Sequence, residues 1–308
     1  MNKIVTLKLF KKAFFSTFRT DKKINDQLHK LNLVYVENSS KKNSELNDFK
    51  KKINTGYFWI SGKKQINKWD NGWSYNLTNL KNKKKIFPAI IPYYYKKKSK
   101  LVICGKIIEP ITELFEFKIF GIYRDFIFRN YLSEFKNIYE LGCGPLHNLV
   151  ILKKKFKKKN VYGFDWSITS VKISKLLKKY FKLILDVKTV NFFEENTFEK
   201  IKENSAAISI GGLEQLGKNF RPIVNHLINS DIKLVINIES FIELYNKDNL
   251  LEKLFLKYDK KKNYLNGYID YLKNLEKEKR IKILKINKVK FGTLGHYSYS
   301  TIIWKPIK

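Results

Sequence analysis

The chain has 308 residues, 44% of them hydrophobic, and carries 62 Lys and Arg against 28 Asp and Glu for a formal net charge of +34. That length suggests about two domains with a substantial core, and no run approaches the roughly 18 consecutive apolar residues of a membrane-spanning helix. Two cysteines, Cys104 and Cys143, exclude a disulfide framework and a cysteine-rich zinc centre, and fit a reducing, cytoplasmic compartment. The charge has the size of a nucleic-acid footprint but not its chemistry. Only five of the basic residues are arginine (Arg19, Arg124, Arg129, Arg221 and Arg280), the residue whose fork grips phosphates and bases bidentately. Lysine runs at 96–98, 153–155 and 157–159 are spread along the chain as solvated surface, so nucleic acid is not the favoured partner. The resulting positive field favours acidic partners such as phosphorylated or carboxylated substrates.

Residues 1–110 read as an N-terminal α+β extension, a substrate or docking domain. Ile4, Leu7, Phe10, Phe14 and Phe18 share one helical face, suited to core packing. Lys8, Lys11 and Lys12 break any signal-peptide apolar region. Ser39 to Lys52 is polar and lysine-rich and reads as a loop. Tyr57, Phe58, Trp59, Trp69, Trp73 and Tyr93 to Tyr95 then concentrate aromatics between Gly56, Gly62 and Gly72. Aromatic faces suit sugar rings and bases, but the core of a small domain is the expected use. Pro110 opens an apolar, helical stretch to Phe135.

Residues 138–144, Ile-Tyr-Glu-Leu-Gly-Cys-Gly, are an apolar run closed by an acid and two glycines. Glycines there permit a tight turn and let a ligand lie against backbone N–H groups. A helix over Asn148 to Phe156 and a second strand, Val161 to Phe164, lead to Asp165. Strand, glycine turn, helix, strand and acid describe half of a nucleoside-binding α/β sheet, with the acid placed for ribose hydroxyls. The dinucleotide fingerprint needs a third glycine that Gly142-Cys143-Gly144-Pro145-Leu146-His147 lacks. The form E-x-G-C-G, with an acid 23 residues after the first glycine, instead resembles motif I and the following acid of class I S-adenosylmethionine-dependent methyltransferases.

The resemblance implies that Glu140, Gly142 and Gly144 lie by the methionine part of the cofactor, and that Asp165, with Trp166 beside it, binds the ribose side. The family usually reads G-x-G-x-G, and Leu146 stands at the third position. A leucine there is either absorbed by a different turn or blocks the methionine carboxylate. His147, next to the turn, is read as capping or packing locally. Lys188 to Phe193 is a third strand, where the resemblance implies Asn191 and Phe192 at the adenine; an ordinary strand end with a core phenylalanine is the other reading. Ala206 to Ile210 is a fourth strand, and Gly211-Gly212-Leu213-Glu214-Gln215 resembles the family segment that borders the reactive methyl, with Gly212 among the cofactor contacts. Leu234 to Ile238 is a fifth strand, ending on Glu239. Helices over Leu250 to Tyr258 and Tyr264 to Lys279 precede a closing strand pair, Ile281 to Phe291 and Tyr297 to Trp304, joined through Gly292 and Gly295. The expected fold over residues 111–308 is a seven-stranded, mostly parallel Rossmann-like methyltransferase sheet with helices on both faces.

Methyl transfer is a displacement that mainly needs alignment, and a hydroxyl acceptor also needs a base. Glu214, Glu239 and His296 are the candidates, each at or near a strand end on the expected ligand edge. Four histidines, His29, His147, His226 and His296, show no metal-ligand spacing with acids, so no metal is expected. The D/N-P-P-aromatic motif of amino-methylating enzymes is absent after the fourth strand, and so is a cysteine for base-carbon methylation. O-methylation of a small molecule or sugar is the leading reading. An RNA methyltransferase and a non-catalytic scaffold with the cofactor fold are the alternatives. The sequence carries no sign of its oligomeric state.

Overall fold

In the computed structural model the described residues are all but Met1, Thr20, 38–41, Tyr57, 83–84 and Ser298, with the side chains of residues 42 and 43 also outside the description. The first part of the chain forms β1 (Asn2–Ile4), α1 (Leu7–Phe14), α2 (Lys22–Leu31), β2 (Val34–Glu37), α3 (Lys42–Thr55), α4 (Ile66–Asn82), α5 (Ile86–Ile90), β3 (Leu101–Ile103) and β4 (Lys106–Pro110). There follow α6 (Phe115–Tyr131), β5 (Asn137–Leu141), α7 (His147–Lys155), β6 (Asn160–Asp165), α8 (Ile168–Phe181), β7 (Asp186–Thr189), β8 (Ser205–Ile210), α9 (Arg221–Asn229) and β9 (Ile232–Glu239). The chain ends with α10 (Leu250–Lys261), α11 (Tyr268–Lys277), β10 (Ile281–Asn287), β11 (Phe291–Thr293) and β12 (Ser300–Pro306).

Seven strands form one sheet in the order β10-β12-β9-β8-β5-β6-β7. Neighbours among β5 to β9 pair in parallel, while β12 runs antiparallel to both β9 and β10. This is the seven-stranded, mostly parallel sheet with an antiparallel closing pair expected from the sequence. The central strand β5 is buried along its whole length, and successive side chains enter different cores. Ile138 packs in a cluster with Leu149, Leu152 and Ile173, whereas Tyr139 joins Val224, Leu227 and Leu272. That alternation is the period-two rule of a strand covered on both faces.

The second sheet has the order β1-β2-β4-β3-β11 and is antiparallel throughout. Its last strand comes from the far end of the chain, which corrects the expected strand Ile281–Phe291. β10 stops at Asn287, whose Nδ2 donates to Phe14 O at 2.8 Å and whose Oδ1 accepts from Ser16 N at 2.9 Å. Phe291 then pairs with Ile103 in the other sheet. Helix α6 buries ten of its 17 residues, a wide apolar face, and keeps Asp125, Arg129 and Asn130 on the remaining side. One cluster includes Leu101, Ile103 and Ile108 of the second sheet, α6 residues such as Phe120, and Ile208 and Ile236 of the large sheet, so the core is continuous between them.

Three further elements differ from expectation. The segment taken as a loop over Ser39 to Lys52 is helix α3 from residue 42, because Leu46, Phe49 and Ile53 at helical spacing bury against Phe255 and Tyr258. Residues 39–41 lie outside the described residues. Of the five residues expected on one N-terminal helical face, Phe10 and Phe14 are buried in α1, while Ile4 lies exposed in β1. The third parallel strand ends at Thr189 rather than Phe193. Thr197 Oγ1 accepts from Asn191 N at 3.0 Å, and Asn191 Oδ1 accepts from Phe193 N at 3.1 Å, folding residues 191–197 into a turn. Among the described residues no helix is long and apolar enough to cross a membrane.

Candidate active site

The floor of the site is the turn after β5. Gly142 and Gly144 both have positive φ, of 76° and 49°. Gly142 N donates to Phe164 O at 2.7 Å, and Gly144 N donates to Asp165 Oδ2 at 2.7 Å. Asp165 Oδ1 also accepts from Ser167 N at 2.8 Å, so one carboxylate ties the glycine turn to the start of α8. Burial lifts Asp165 to about 6, against the opposing effect of these N–H donors. The loop after β8 presses on the turn from the side. A Cβ on Gly142 would lie 2.8 Å from Gly212 Cα, and one on Gly212 would lie 2.7 Å from Leu141 O. Gly211 faces open space, with nothing within 4 Å of its ideal Cβ position, and lines the cavity.

Leu146, where the family pattern has glycine, takes the left-handed conformation itself, with φ 67°. Its side chain is fully buried in the core and does not line the cavity. The turn thus accommodates the leucine by directing its side chain into the core. His147 opens α7 and does line the cavity; its Nδ1 is buried without a hydrogen-bond partner. Burial, with Arg124 nearby, drives the His147 pKa well down, so the ring is neutral. Glu140 lies beneath the turn rather than on the cavity wall. Its Oε1 accepts from Asn148 Nδ2 at 2.6 Å, Asn148 Oδ1 accepts from Arg124 Nη1 at 2.8 Å, and Glu140 Oε2 is buried without a partner. Burial raises the Glu140 pKa to about 8.

Above the turn lies a cavity of about 300 Å³, at the small end of the range for ligand pockets. Its roof is the aromatic cluster: Trp59, Trp69 and Trp73 with Tyr93 to Tyr95. The expectation that these residues make the core of a small domain is thus corrected. Trp73 and Tyr95 are buried, yet they are cavity wall as well; Tyr57 lies outside the described residues. Trp73 covers Gly144, its indole 3.0 Å from where a Cβ would stand. The roof helix α4 is fastened by Asp70, whose Oδ1 accepts from Ser167 Oγ at 2.5 Å and from Thr169 N at 2.9 Å at the start of α8. On the ribose side named from sequence, Trp166 lines the cavity and stacks on Phe193 at 5.9 Å between ring centroids. Phe192 lines the cavity too, but Asn191 is turned into its own loop and does not.

The three candidate bases separate. Glu214 and His296 line the cavity and meet, Nε2 to Oε2 at 2.9 Å. Gln215 Nε2 holds the other Glu214 oxygen at 3.1 Å, and Gln215 Oε1 accepts from Trp69 Nε1 at 3.4 Å, linking dyad to roof. Burial acts to lower the His296 pKa, but the Glu214 carboxylate outweighs it, and the result is raised to about 9. Glu239 stands behind the cavity and is fully buried. Its carboxylate accepts three backbone N–H groups, from Gly212 and Leu213 at 3.2 Å and from Glu214 at 3.1 Å. It therefore shapes the loop that carries Glu214. Burial first, then Glu214, hold its pKa above the usual carboxylate range.

Sequence reasoning missed a second carboxylate. Glu116, at the start of α6, lines the cavity and accepts from Tyr299 OH at 2.8 Å; Tyr95 OH lies 3.4 Å from Tyr299 OH. Nothing in the local sequence marks Glu116, Asp70 or Tyr299, which reach the site only through the packing of distant elements. Among the described residues no three His, Cys, Asp or Glu side chains gather so as to hold a metal ion.

No protein-family model and no curated protein matches the sequence. Solved structures do superpose on it. Magnesium protoporphyrin IX methyltransferase from Synechocystis PCC 6803 with bound SAH is 12% identical, with a TM-score of 0.44 over 61% of this chain and 81% of that one. Geranyl diphosphate C-methyltransferase from Streptomyces coelicolor A3(2) is 9% identical, with a TM-score of 0.49 over 80% and 97%. An rRNA methylase from Escherichia coli is 7% identical, with a TM-score of 0.45 over 77% and 76%. These are likenesses of chain path, and what each protein acts on is its own property.

Proposed function

We propose that this chain is an S-adenosylmethionine-dependent methyltransferase that methylates a hydroxyl of a small molecule. The observation that carries the reading is the Glu214–His296 pair, held at 2.9 Å on the wall of a cavity whose floor is the glycine turn braced by Asp165. The residues present fit the cofactor. Gly211 leaves room where a side chain would stand, and the unpartnered His147 Nδ1 offers a polar atom on the cavity wall beside the turn. Gly142, Gly144 and His147 are assigned to its amino-acid end, Asp165 to the ribose hydroxyls, and Trp166 and Phe192 to the base. When bound, the cofactor supplies an electrophilic methyl group on a sulfonium.

The protein's share is alignment, exclusion of water and removal of one proton. His296 in its neutral form accepts the hydroxyl proton, and Glu214 fixes the ring and stabilises the imidazolium that results. Glu239 positions Glu214 through the loop amides. Residues 1–110 supply the aromatic roof over both ligands. The aromatic side chains that Trp59, Trp69, Trp73 and Tyr93 to Tyr95 bring to the lining suit a small ring-bearing acceptor. Calorimetric titration with S-adenosylhomocysteine (SAH), NAD as control, tests the cofactor assignment, and turnover on a panel of small phenols, alcohols and RNA tests the acceptor. Binding of NAD in place of SAH, or turnover on RNA alone, would defeat the respective half of the proposal.

A further inference from the structure

The acceptor end of the cavity is acidic, although the protein is strongly basic. Glu214 and Glu116 both face it, partnered by His296 and by the neutral Tyr299 hydroxyl. The two carboxylates lie close enough for each to raise the His296 pKa, and Tyr299 sits edge-on to that imidazole at 5.7 Å between centroids. His296, its pKa raised, is the cation on this wall and is paired with Glu214, which leaves Glu116, hydrogen-bonded to Tyr299, as the carboxylate with no cationic partner among the described residues. Lys68 and Lys262 hold their ammonium groups 3.8 Å from the Trp59 ring centroid, and Lys97 is exposed at the rim. Of the rings facing the same space, Trp59, Tyr93 and Tyr264 already hold lysine ammonium groups, while Trp69 holds none among the described residues. Aromatic faces attract cations, a carboxylate accepts further donors beyond one tyrosine hydroxyl, and an anion pressed against buried carboxylates is repelled.

Resting on the methyltransferase reading, we propose that this end selects a neutral or cationic acceptor carrying a second hydrogen-bond donor, a hydroxyl or an ammonium, held by Glu116, and that it rejects anions. The net charge of +34 therefore does not set substrate choice: the groups lining the cavity reverse it locally. The hydroxyl to be methylated faces His296 and the second donor faces Glu116, so Glu116 is a specificity-determining group.

The test is calorimetric titration of the full chain, saturated with SAH, with three phenols that differ in one arm: tyramine (cationic), tyrosol (neutral) and 4-hydroxyphenylacetate (anionic). The expected result is that tyramine and tyrosol bind at least about tenfold more tightly than 4-hydroxyphenylacetate, the discrimination that like-charge contact provides. In Glu116→Gln the gap should shrink to about threefold or less, with SAH binding as the control for folding. Equal or tighter binding of the anion, an unchanged gap in Glu116→Gln, or no binding by any of the three overturns the proposal. Failure of SAH itself to bind is a separate outcome, which overturns the methyltransferase reading and this inference with it.

Discussion

The floor and the roof of the cavity are built on different principles. The floor is assembled from chain neighbours: β5, the glycine turn, α7, β6 and Asp165 follow one another within 30 residues, and the hydrogen bonds from Gly142 and Gly144 reach only to residues 164 and 165. The roof is assembled from strangers. Asp70 reaches 97 and 99 residues ahead to Ser167 and Thr169, and Trp69 reaches 146 residues ahead to Gln215. The floor rests on short-range contacts along the chain, whereas the roof rests on contacts between distant segments. Substitutions at the two should therefore fail differently.

The largest effect is expected where floor and acceptor space meet. His296→Ala should lower kcat by roughly 10²–10⁴-fold, the usual contribution of a positioned base, while SAH affinity stays near wild type. The same pair gives a signed pH dependence. His296 must be neutral to accept a proton, and its pKa is raised to about 9, so kcat should climb about tenfold per pH unit below that value and level off above it. Replacing the anionic partner by Glu214→Gln removes what raises the pKa, so the midpoint should move down toward the ordinary imidazole value. A profile that is flat between pH 6 and 9, roughly the span over which such an imidazole titrates, would remove His296 as the base.

Next in size is a pure test of the floor. Gly142→Ala places a Cβ 2.8 Å from Gly212 Cα at a φ of 76°, so the ends of β5 and β8 must part. The expected loss is roughly 2 kcal/mol or more of stability, measured by urea denaturation, together with weakened SAH binding. A loss below about 0.5 kcal/mol, the range of an ordinary surface substitution, would show that the two loops do not press together.

The contrast between floor and roof also sets what sequence could reveal. The turn, Asp165 and the parallel strands were legible because their signals are local: apolar runs, glycines and an acid at fixed spacing. Glu239 was legible as an acid at a strand end, but not as the acceptor of three loop amides, because that depends on where the β8 loop folds back. Helix α3 was hidden by composition, since three apolar residues among lysines suffice once Phe255 and Tyr258 cover them. The aromatics of the roof were visible as a cluster. Their use was not, since a ring that closes a cavity and a ring that fills a core look alike until the opposite wall is known. Glu116 and Tyr299 lie 183 residues apart, joined by one hydrogen bond, and no local pattern announces such a pair.

The roof has its own test, smaller in energy. Asp70→Ala removes the α4 side chain that accepts from Ser167 and Thr169 at the start of α8, and such a cap contributes about 0.5–2 kcal/mol. Hydrogen exchange should rise in α4 and in the first turn of α8 but not in β5 or β8, and SAH should dissociate faster from the loosened roof. Exchange rising equally in β5 would mean that floor and roof unfold together, and the distinction between them would collapse.

The smallest effect on ligand binding is expected at the residue that departs most from the family pattern. Leu146 combines a left-handed backbone, which costs a residue with a side chain about 1–2 kcal/mol, with a side chain fully buried in the core. Leu146→Gly removes the first cost but also empties the volume, and loss of a buried leucine costs roughly 2–5 kcal/mol. Stability should therefore fall on balance, by roughly 1–3 kcal/mol. The affinity for SAH should stay near wild type, because the side chain is buried in the core and does not line the cavity. A large gain in SAH affinity on Leu146→Gly would mean that the leucine does obstruct the ligand, and that its burial in the core is not the whole of its role.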